Sequence, residues 1–213
     1  NLFTKPMTEG EMNQTALDSG IPGGNSGRVE YRLKATTAQG AVSYSNVVFV
    51  TIQSYLPILR FYLPGSYQAA TGNGNNWDPG TAPELIRDLR PGAFNRMYYI
   101  YINLPAGAAF KVTQGRSWDI NYGGTGGNLV QNGADFTVPA AGVYRISIDR
   151  VNLKYDIRVG RMGFVGGATG AGWNPPNVFP AYALGAPATN LFVGLTNFTT
   201  DAWKMIDNDQ WDN

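Results

Sequence analysis

The residues of this chain best suited to hold a ligand gather around two tryptophans. Trp77 stands in Asn76-Trp77-Asp78-Pro79, and Trp118 in Ser117-Trp118-Asp119, followed by Asn121, Tyr122 and a glycine-rich stretch to Gly127. A tryptophan set between a polar residue and a proline turn belongs in a loop. There its indole either plugs the end of a core or stands out as a platform. A polar, glycine-rich setting such as that of Trp118 is a poor core environment. A sugar ring suits the platform, because its C–H face packs on an indole through the hydrophobic and dispersion terms that make aromatics effective contacts. Sugar hydroxyls need charged or amide partners, and Lys111, Arg116, Asp119 and Asn121 are the candidates in sequence. Lys111 could instead be a solvated strand lysine, the lesser of the two readings.

Carboxylates offer a second chemistry. Asp78, Glu84 and Asp119 are the acids near these aromatics, and a glycosidase needs two carboxyls at a defined separation. Other chemistries are excluded outright. The chain has no histidine and no cysteine, so it can build neither a Ser-His-Asp triad, nor a thiol nucleophile, nor a thiolate or imidazole zinc site. Neither Gly123–Gly127 nor the run from Gly163 to Gly172 leads into a helix or a Gly-Lys-Ser/Thr sequence; they read as β-turn glycines, not phosphate loops. Sixteen basic residues against fifteen acidic ones leave a net charge of +1, which provides no field for nucleic acid or an anionic membrane surface. No cofactor and no metal is expected.

An internal repeat singles out the same residues. Asn76-Trp77-Asp78-Pro79 is echoed by Gly172-Trp173-Asn174-Pro175, 96 residues later. Phe61-Tyr62-Leu63-Pro64-Gly65 is echoed by the segment from Met162 to Gly167. Phe110-Lys111, seven residues before Trp118-Asp119, is echoed by Trp203-Lys204, seven residues before Trp211-Asp212. The recurrence of Lys204 at the same offset from a tryptophan favours a shared role for the two lysines. Asp78 becomes Asn174 and Glu84 has no evident counterpart, so no carboxylate pair is kept in both copies and these acids read as turn caps.

The elements that must position these side chains are mostly strands. Gly 27 and Pro 13 are high for 213 residues, but Trp 5, Tyr 12 and Phe 10 argue against simple disorder. Residues 7–18 are the one plausible helix near the start, with Thr8 as cap and Glu11 as the return arm of a capping box. Residues 29–35 and 43–52 alternate and read as a hairpin. Tyr55-Leu56-Pro57 marks a boundary. Beyond it, strands are expected at 59–63, 96–103, 109–113, 136–138, 143–149 and 154–159, a spacing that indicates an antiparallel β-sandwich. No stretch is apolar enough to span a bilayer, and Asn1–Lys5 does not read as a signal peptide. The fold class expected is all-β: tandem antiparallel, immunoglobulin-like sandwiches. The expected divisions are 1–56, the latter part of an immunoglobulin-like domain; 57–160, a complete repeat; and 161–213, the first part of a second. The chain accordingly reads as a fragment at both ends.

Taken in order, these motifs resemble the SusE/SusF family of outer-membrane starch-binding lipoproteins. The residues from Val29 to Ala35, then Tyr44-Ser45-Asn46-Val47-Val48 and Tyr55, resemble the end of the family's N-terminal domain. Phe61–Gly65, Asn76–Pro79, Phe110-Lys111, Trp118–Gly124 and Ala141-Gly142-Val143-Tyr144 with Asp149 resemble its first carbohydrate-binding domain, and a second begins after them. The resemblance implies non-catalytic binding of starch-type α-glucan, or a related polysaccharide, at the cell surface. It implies outer-membrane location through a lipid anchor upstream of this sequence, and other surface proteins of the same uptake system as partners. Family sites combine two aromatics with a basic residue, which places the glycan on Trp77, Trp118 and Lys111, and on Trp173, Trp211 and Lys204. Arg116, Asn121 and Tyr122 are additional candidates. The alternatives are a structural or adhesion stalk whose aromatics are all core, and an accessory region of a glycoside hydrolase.

Overall fold

The structure is a computed structural model that describes residues 6–90, 92–93, 95–208 and 210–211. Asp212, named above in the second Trp-Asp echo, lies outside the described residues. The chain divides into two compact units, Asn1–Ile58 and Leu59–Asn213.

The first unit opens with α1 (Glu9–Asp18). Thr8 accepts a hydrogen bond from the Glu11 backbone while the Glu11 carboxylate accepts one from the Thr8 N–H, the capping box anticipated from sequence. A bent hairpin follows: β1 (Ser26–Tyr31), β2 (Lys34–Thr36), β3 (Val42–Tyr44) and β4 (Val48–Gln53), with β1 antiparallel to β4 and β2 to β3. The helix covers one face, burying Ala16 against Val29 and Ile52. Phe49, on the opposite side of β4 from Ile52, is exposed, with the Arg28 guanidinium 3.5 Å from its ring centroid.

The second unit begins with β5 (Phe61–Tyr62), β6 (Ile86–Arg87), β7 (Met97–Leu104), β8 (Ala109–Phe110), β9 (Val112–Gln114), β10 (Asn121–Thr125), β11 (Asn128–Gln131), β12 (Phe136–Thr137), β13 (Gly142–Asp149) and β14 (Lys154–Val159). Eight of these form one antiparallel sheet in the order β5-β9-β10-β11-β14-β13-β7-β6, and β8 pairs with β12. The sheet curls until its ends meet. Residues 83–85 bond to β5 (Leu63 N–H to the Pro83 carbonyl at 3.0 Å, Leu85 N–H to the Phe61 carbonyl at 2.8 Å), and the same segment continues as β6 beside β7. Alternation along β7 and β13 decides what goes inside: Tyr98, Ile100, Ile102 and Leu104 from one, Tyr144, Ile146 and Ile148 from the other. They pack with Phe61, Leu63, Tyr67, Phe110, Val112, Leu129 and Phe136 as a single apolar core. The expected all-β, antiparallel, sandwich-like class is thus the observed one.

Two local expectations are corrected. The run 109–113 is two strands, broken at Lys111, because β8 joins β12 while β9 joins the large sheet. Gly123 and Gly124 lie in β10 and are not turn residues. A Cβ at Gly123 would stand 1.9 Å from the Ala134 carbonyl oxygen, so glycine is required by the close approach of another backbone.

The remaining strands, β15 (Met162–Val165), β16 (Phe179–Ala183), β17 (Phe192–Val193) and β18 (Lys204–Asp207), form a four-stranded sheet in the order β17-β16-β15-β18. Gly163, read from sequence as a turn glycine, lies within β15. The Lys111 N–H donates to the Pro64 carbonyl, and Lys204 stands opposite Val165. This second sheet is fastened to the outer face of the first. The Asn190 side chain accepts from Tyr101 N–H at 2.7 Å, Phe192 meets the Tyr101 ring edge-on at 5.1 Å, and Asp207 binds Arg145 at 2.9 Å and Arg158 at 3.1 Å. Tyr101, on the outward side of β7, is buried as a result.

Candidate functional site

Two loops and one turn build the site. The first loop follows β5 and carries Trp77. Its scaffold is Gln68, fully buried. The Gln68 amide oxygen accepts from the backbone N–H groups of Gly65 (3.0 Å) and Asp78 (3.2 Å), and its nitrogen donates to the carbonyls of Asn73 (3.1 Å) and Asp78 (3.0 Å). Asn76 caps the neighbouring 3-10 turn by accepting from Ala69 N–H. Held this way, Trp77 adopts φ +60°, a left-handed conformation that costs a non-glycine residue about 1–2 kcal/mol. Such an outlier persists only where the surrounding structure over-determines it.

The second loop, between β9 and β10, carries Trp118. Ser117 donates to Asp119 at 2.8 Å, and the Asn121 amide donates to the Trp118 carbonyl at 3.2 Å. Arg116 braces the two loops: its guanidinium donates to the Gly80 carbonyl and stacks 4.3 Å from the Tyr62 ring centroid. The indoles of Trp77 and Trp118 consequently meet with ring centroids 6.3 Å apart and planes tilted by 39°.

The turn follows β11. Gly123 lets the backbone of residues 133–134 fold onto β10, where Gly124 N–H donates to the Ala134 carbonyl at 2.8 Å. This brings Asn132 and Asp135 beside the indoles. Asn132 accepts from the Asn121 amide at 2.8 Å. Lys111, mostly buried, donates to the Gly133 carbonyl at 2.6 Å and lies 3.8 Å from Asp135. Trp77, Lys111, Trp118, Asn121, Asn132 and Asp135 together line an open cleft of about 370 Å³.

Of the residues singled out from sequence, Trp77, Lys111, Trp118 and Asn121 come together here. Arg116 braces the loops outside the cleft lining, and Tyr122 packs on the core. Asn132 and Asp135 were not anticipated. Asn132-Gly133 was a visible turn signal, but nothing in the sequence tied it to the tryptophans. The acids weighed as a glycosidase pair are spoken for. Asp78 accepts from Gly80 N–H and the Thr81 hydroxyl, Glu84 pairs with Arg60 at 3.2 Å, and Asp119 binds Ser117. Asp135 is the one carboxylate among the cleft's lining residues. In the second repeat, Trp173 and Trp211 lie nearly parallel, 6.2 Å apart and tilted by 19°, with the Lys204 ammonium 5.9 Å from the Trp211 ring centroid.

The arrangement presents two part-exposed apolar ring faces beside a rim of amides and a lysine whose charge is balanced by a carboxylate. That combination is chemically suited to a neutral polyhydroxylated ring: the faces offer surface for C–H groups, and the rim offers both donors and acceptors.

Comparison with known proteins places the same stretch in context. Residues 60–152 match the family model of the pullulanase X25 domain, a span that contains all six cleft residues. An amylopullulanase of Thermoanaerobacter thermohydrosulfuricus is 33% identical over 135 residues, covering 61% of this chain and 9% of that protein. One from Thermoanaerobacterium saccharolyticum is 36% identical over 91 residues, 41% of this chain and 7% of that protein. The chain therefore matches less than a tenth of the length of these relatives. Among solved structures, SusF from Bacteroides thetaiotaomicron aligns with a TM-score of 0.37 at 14% identity, covering 79% of this chain and 42% of that one. Pullulanase from Bacillus acidopullulyticus aligns with a TM-score of 0.35 at 20% identity, covering 70% and 16%.

Proposed function

We propose that the Trp77–Lys111–Trp118 cleft binds glycans without cleaving them, and that its ligand is a starch-type α-glucan. The observation that carries this reading is the tilted indole pair over a charge-balanced amide rim. Two faces set at 39° suit successive rings of a curved chain better than a flat one. The match to a pullulanase domain and to amylopullulanases supports the choice of ligand class. A lone carboxylate in the cleft, already beside Lys111, supports binding without hydrolysis.

Two settings fit such a module. One is a surface glycan-binding protein of the SusE/SusF kind, lipid-anchored at the outer membrane and working beside other proteins of an uptake system; it rests on the sequence resemblance. The other is an accessory region of a glycoside hydrolase, favoured by the amylopullulanase matches. The same cleft serves both.

If each indole removes on the order of 60 Å² of sugar surface from water, the pair contributes roughly 3 kcal/mol at about 25 cal/mol per Å². A few hydrogen bonds roughly offset the lost freedom of the ligand, so a single site binds weakly, with a Kd of about 6 mM. Electrophoresis through gels containing amylopectin or pullulan tests this. The parent chain is retarded, and Trp77→Ala and Trp118→Ala each lose most of the retardation while keeping the parent's circular dichroism. Unretarded migration of the parent refutes glycan binding. Release of reducing ends from maltooligosaccharides refutes the non-catalytic part.

A further inference from the structure

Resting on the glycan reading, we infer that Asn132 and Asp135 are the groups that meet the glucan's hydroxyls, and that Lys111 and Asn121 are positioning residues that hold the turn carrying them. The distinction lies in which hydrogen-bonding groups of the cleft are already engaged. An ammonium has three donors and no acceptor. The Lys111 side chain is only 18% exposed, so its charge must be met by protein groups. Its Nζ donates to the Gly133 carbonyl at 2.6 Å and to the Asn121 amide oxygen at 3.4 Å, and the Asp135 carboxylate lies 3.8 Å away. Three donors thus have three acceptors. Asn121 is committed as well. Its nitrogen donates to the Trp118 carbonyl at 3.2 Å and to the Asn132 side-chain oxygen at 2.8 Å, while its oxygen faces Lys111.

Asn132 and Asp135 differ in both respects. Both residues are exposed. The Asn132 amide oxygen accepts from Asn121, but its amide nitrogen has no hydrogen-bond partner among the described residues. The Asp135 side chain is 45% exposed, and its 3.8 Å approach to Lys111 is longer than a hydrogen bond, so its oxygens keep their capacity to accept. Together they set an available donor and an available acceptor beside the indole faces. A hydroxyl is donor and acceptor at once, and needs both. The backbone alone does not call for the Asn132 side chain. Asn132 adopts φ +56°, which asparagine tolerates and glycine adopts with less strain. The turn starts from the bonds of Asn132 N–H to the Asn121 carbonyl at 2.9 Å and of Gly133 N–H to the Val130 carbonyl at 3.0 Å. The ammonium then ties the Gly133 carbonyl, between Asn132 and Asp135 in the chain, to the junction of β8 and β9. Lys111, placed on the glycan by the sequence resemblance, thereby acts on it through the turn.

The test is a titration of maltoheptaose into the isotopically labelled full chain, followed by two-dimensional amide NMR, a method suited to weak binding. Every chain carries Trp211→Ala, which breaks the second aromatic pair and leaves the first cleft to be read alone. The side-chain amide signals of Asn132 are expected to shift with ligand. Asn132→Gly suits the left-handed backbone while deleting the donor, and Asp135→Ala deletes the acceptor. Each is expected to weaken binding by about fivefold, the loss of one hydrogen bond. Lys111→Met is expected to lower the backbone order parameters of residues 133–135 before any ligand is added, and to weaken binding by a similar factor. Binding lost in Lys111→Met with the turn as ordered as in the parent shows the ammonium touching the glucan, and overturns the assignment. Parental affinity in Lys111→Met, Asn132→Gly or Asp135→Ala also overturns it. If Lys111→Met does not fold, the other two variants decide by the same criterion. Absence of any ligand-dependent shift in the chain carrying Trp211→Ala alone refutes the underlying reading of this cleft instead.

Discussion

Gln68→Ala separates positioning from contact, since Gln68 is no part of the cleft lining yet holds the loop that carries Trp77. The substitution deletes four hydrogen bonds to backbone groups. At about 1 kcal/mol net for each, the nominal loss is about 4 kcal/mol, and water entering the vacated space recovers part of it, leaving about 2–3 kcal/mol. Removing the scaffold also frees Trp77 from its left-handed conformation, which relaxes at a gain of about 1–2 kcal/mol and swings the indole away from Trp118. Affinity for glycan should then fall by about tenfold, the loss expected when one indole's roughly 1.5 kcal/mol of contact disappears. Gln68→Glu should do no better. It keeps the acceptor facing Gly65 and Asp78 but turns a second acceptor on the carbonyls of Asn73 and Asp78. Thermal melting followed by circular dichroism reads the stability loss, and affinity electrophoresis reads the binding loss. A Gln68→Ala protein that melts with the parent and is retarded like the parent shows that the loop holds Trp77 without this side chain.

Two further outcomes follow from local geometry. Gly123→Ala places a methyl group 1.9 Å from the Ala134 carbonyl, so the turn bearing Asn132 and Asp135 must lift. Glycan affinity should drop with both tryptophans intact, and unchanged titration calorimetry would show that the turn contributes nothing. Acid should destabilise the second unit. Burial alone would raise the Asp149 carboxyl, but the Arg96 guanidinium and the Asn152 backbone and amide outweigh it and hold it below the usual carboxylate range. Hydrogen bonds from Arg90 lower Asp88 against its burial. Both contributions are complete above the ordinary carboxylate value of about 4 and are lost as pH falls through the lowered values. Melting temperature should be level from neutral pH to about 5, then decline, and less steeply in Asp149→Asn. An equal slope in that variant would contradict the assignment.

How much was legible in advance depended on how local the signal was. Thr8 and Glu11 announce α1 because a capping box is completed within four residues. The runs that became β7 and β13 show their alternation directly and their inward residues are the core, against which Tyr155 and Ile157 of β14 pack partly buried. Trp77, Lys111 and Trp118 were legible because the repeat marked them. Asn132 and Asp135 were not, since only the β10–β11 register and the absent side chain at Gly123 bring their turn to the indoles. Tyr122 was singled out by adjacency; it is partly buried against the core and does not line the cleft. Lys111 concealed the break between β8 and β9, because a two-residue ribbon leaves no periodicity to read.

The segment 83–87, which bonds first to β5 and then to β7, bears on how such modules tolerate company. Domains of like architecture strung on one polypeptide meet at high local concentration while they fold. An open sheet margin in one is then a template for the wrong strand of the next. By spending five residues to knit the first strand to the last, this module withdraws that template before a neighbour emerges. The same stitch would let copies be added in series without each new copy endangering the folding of those already present.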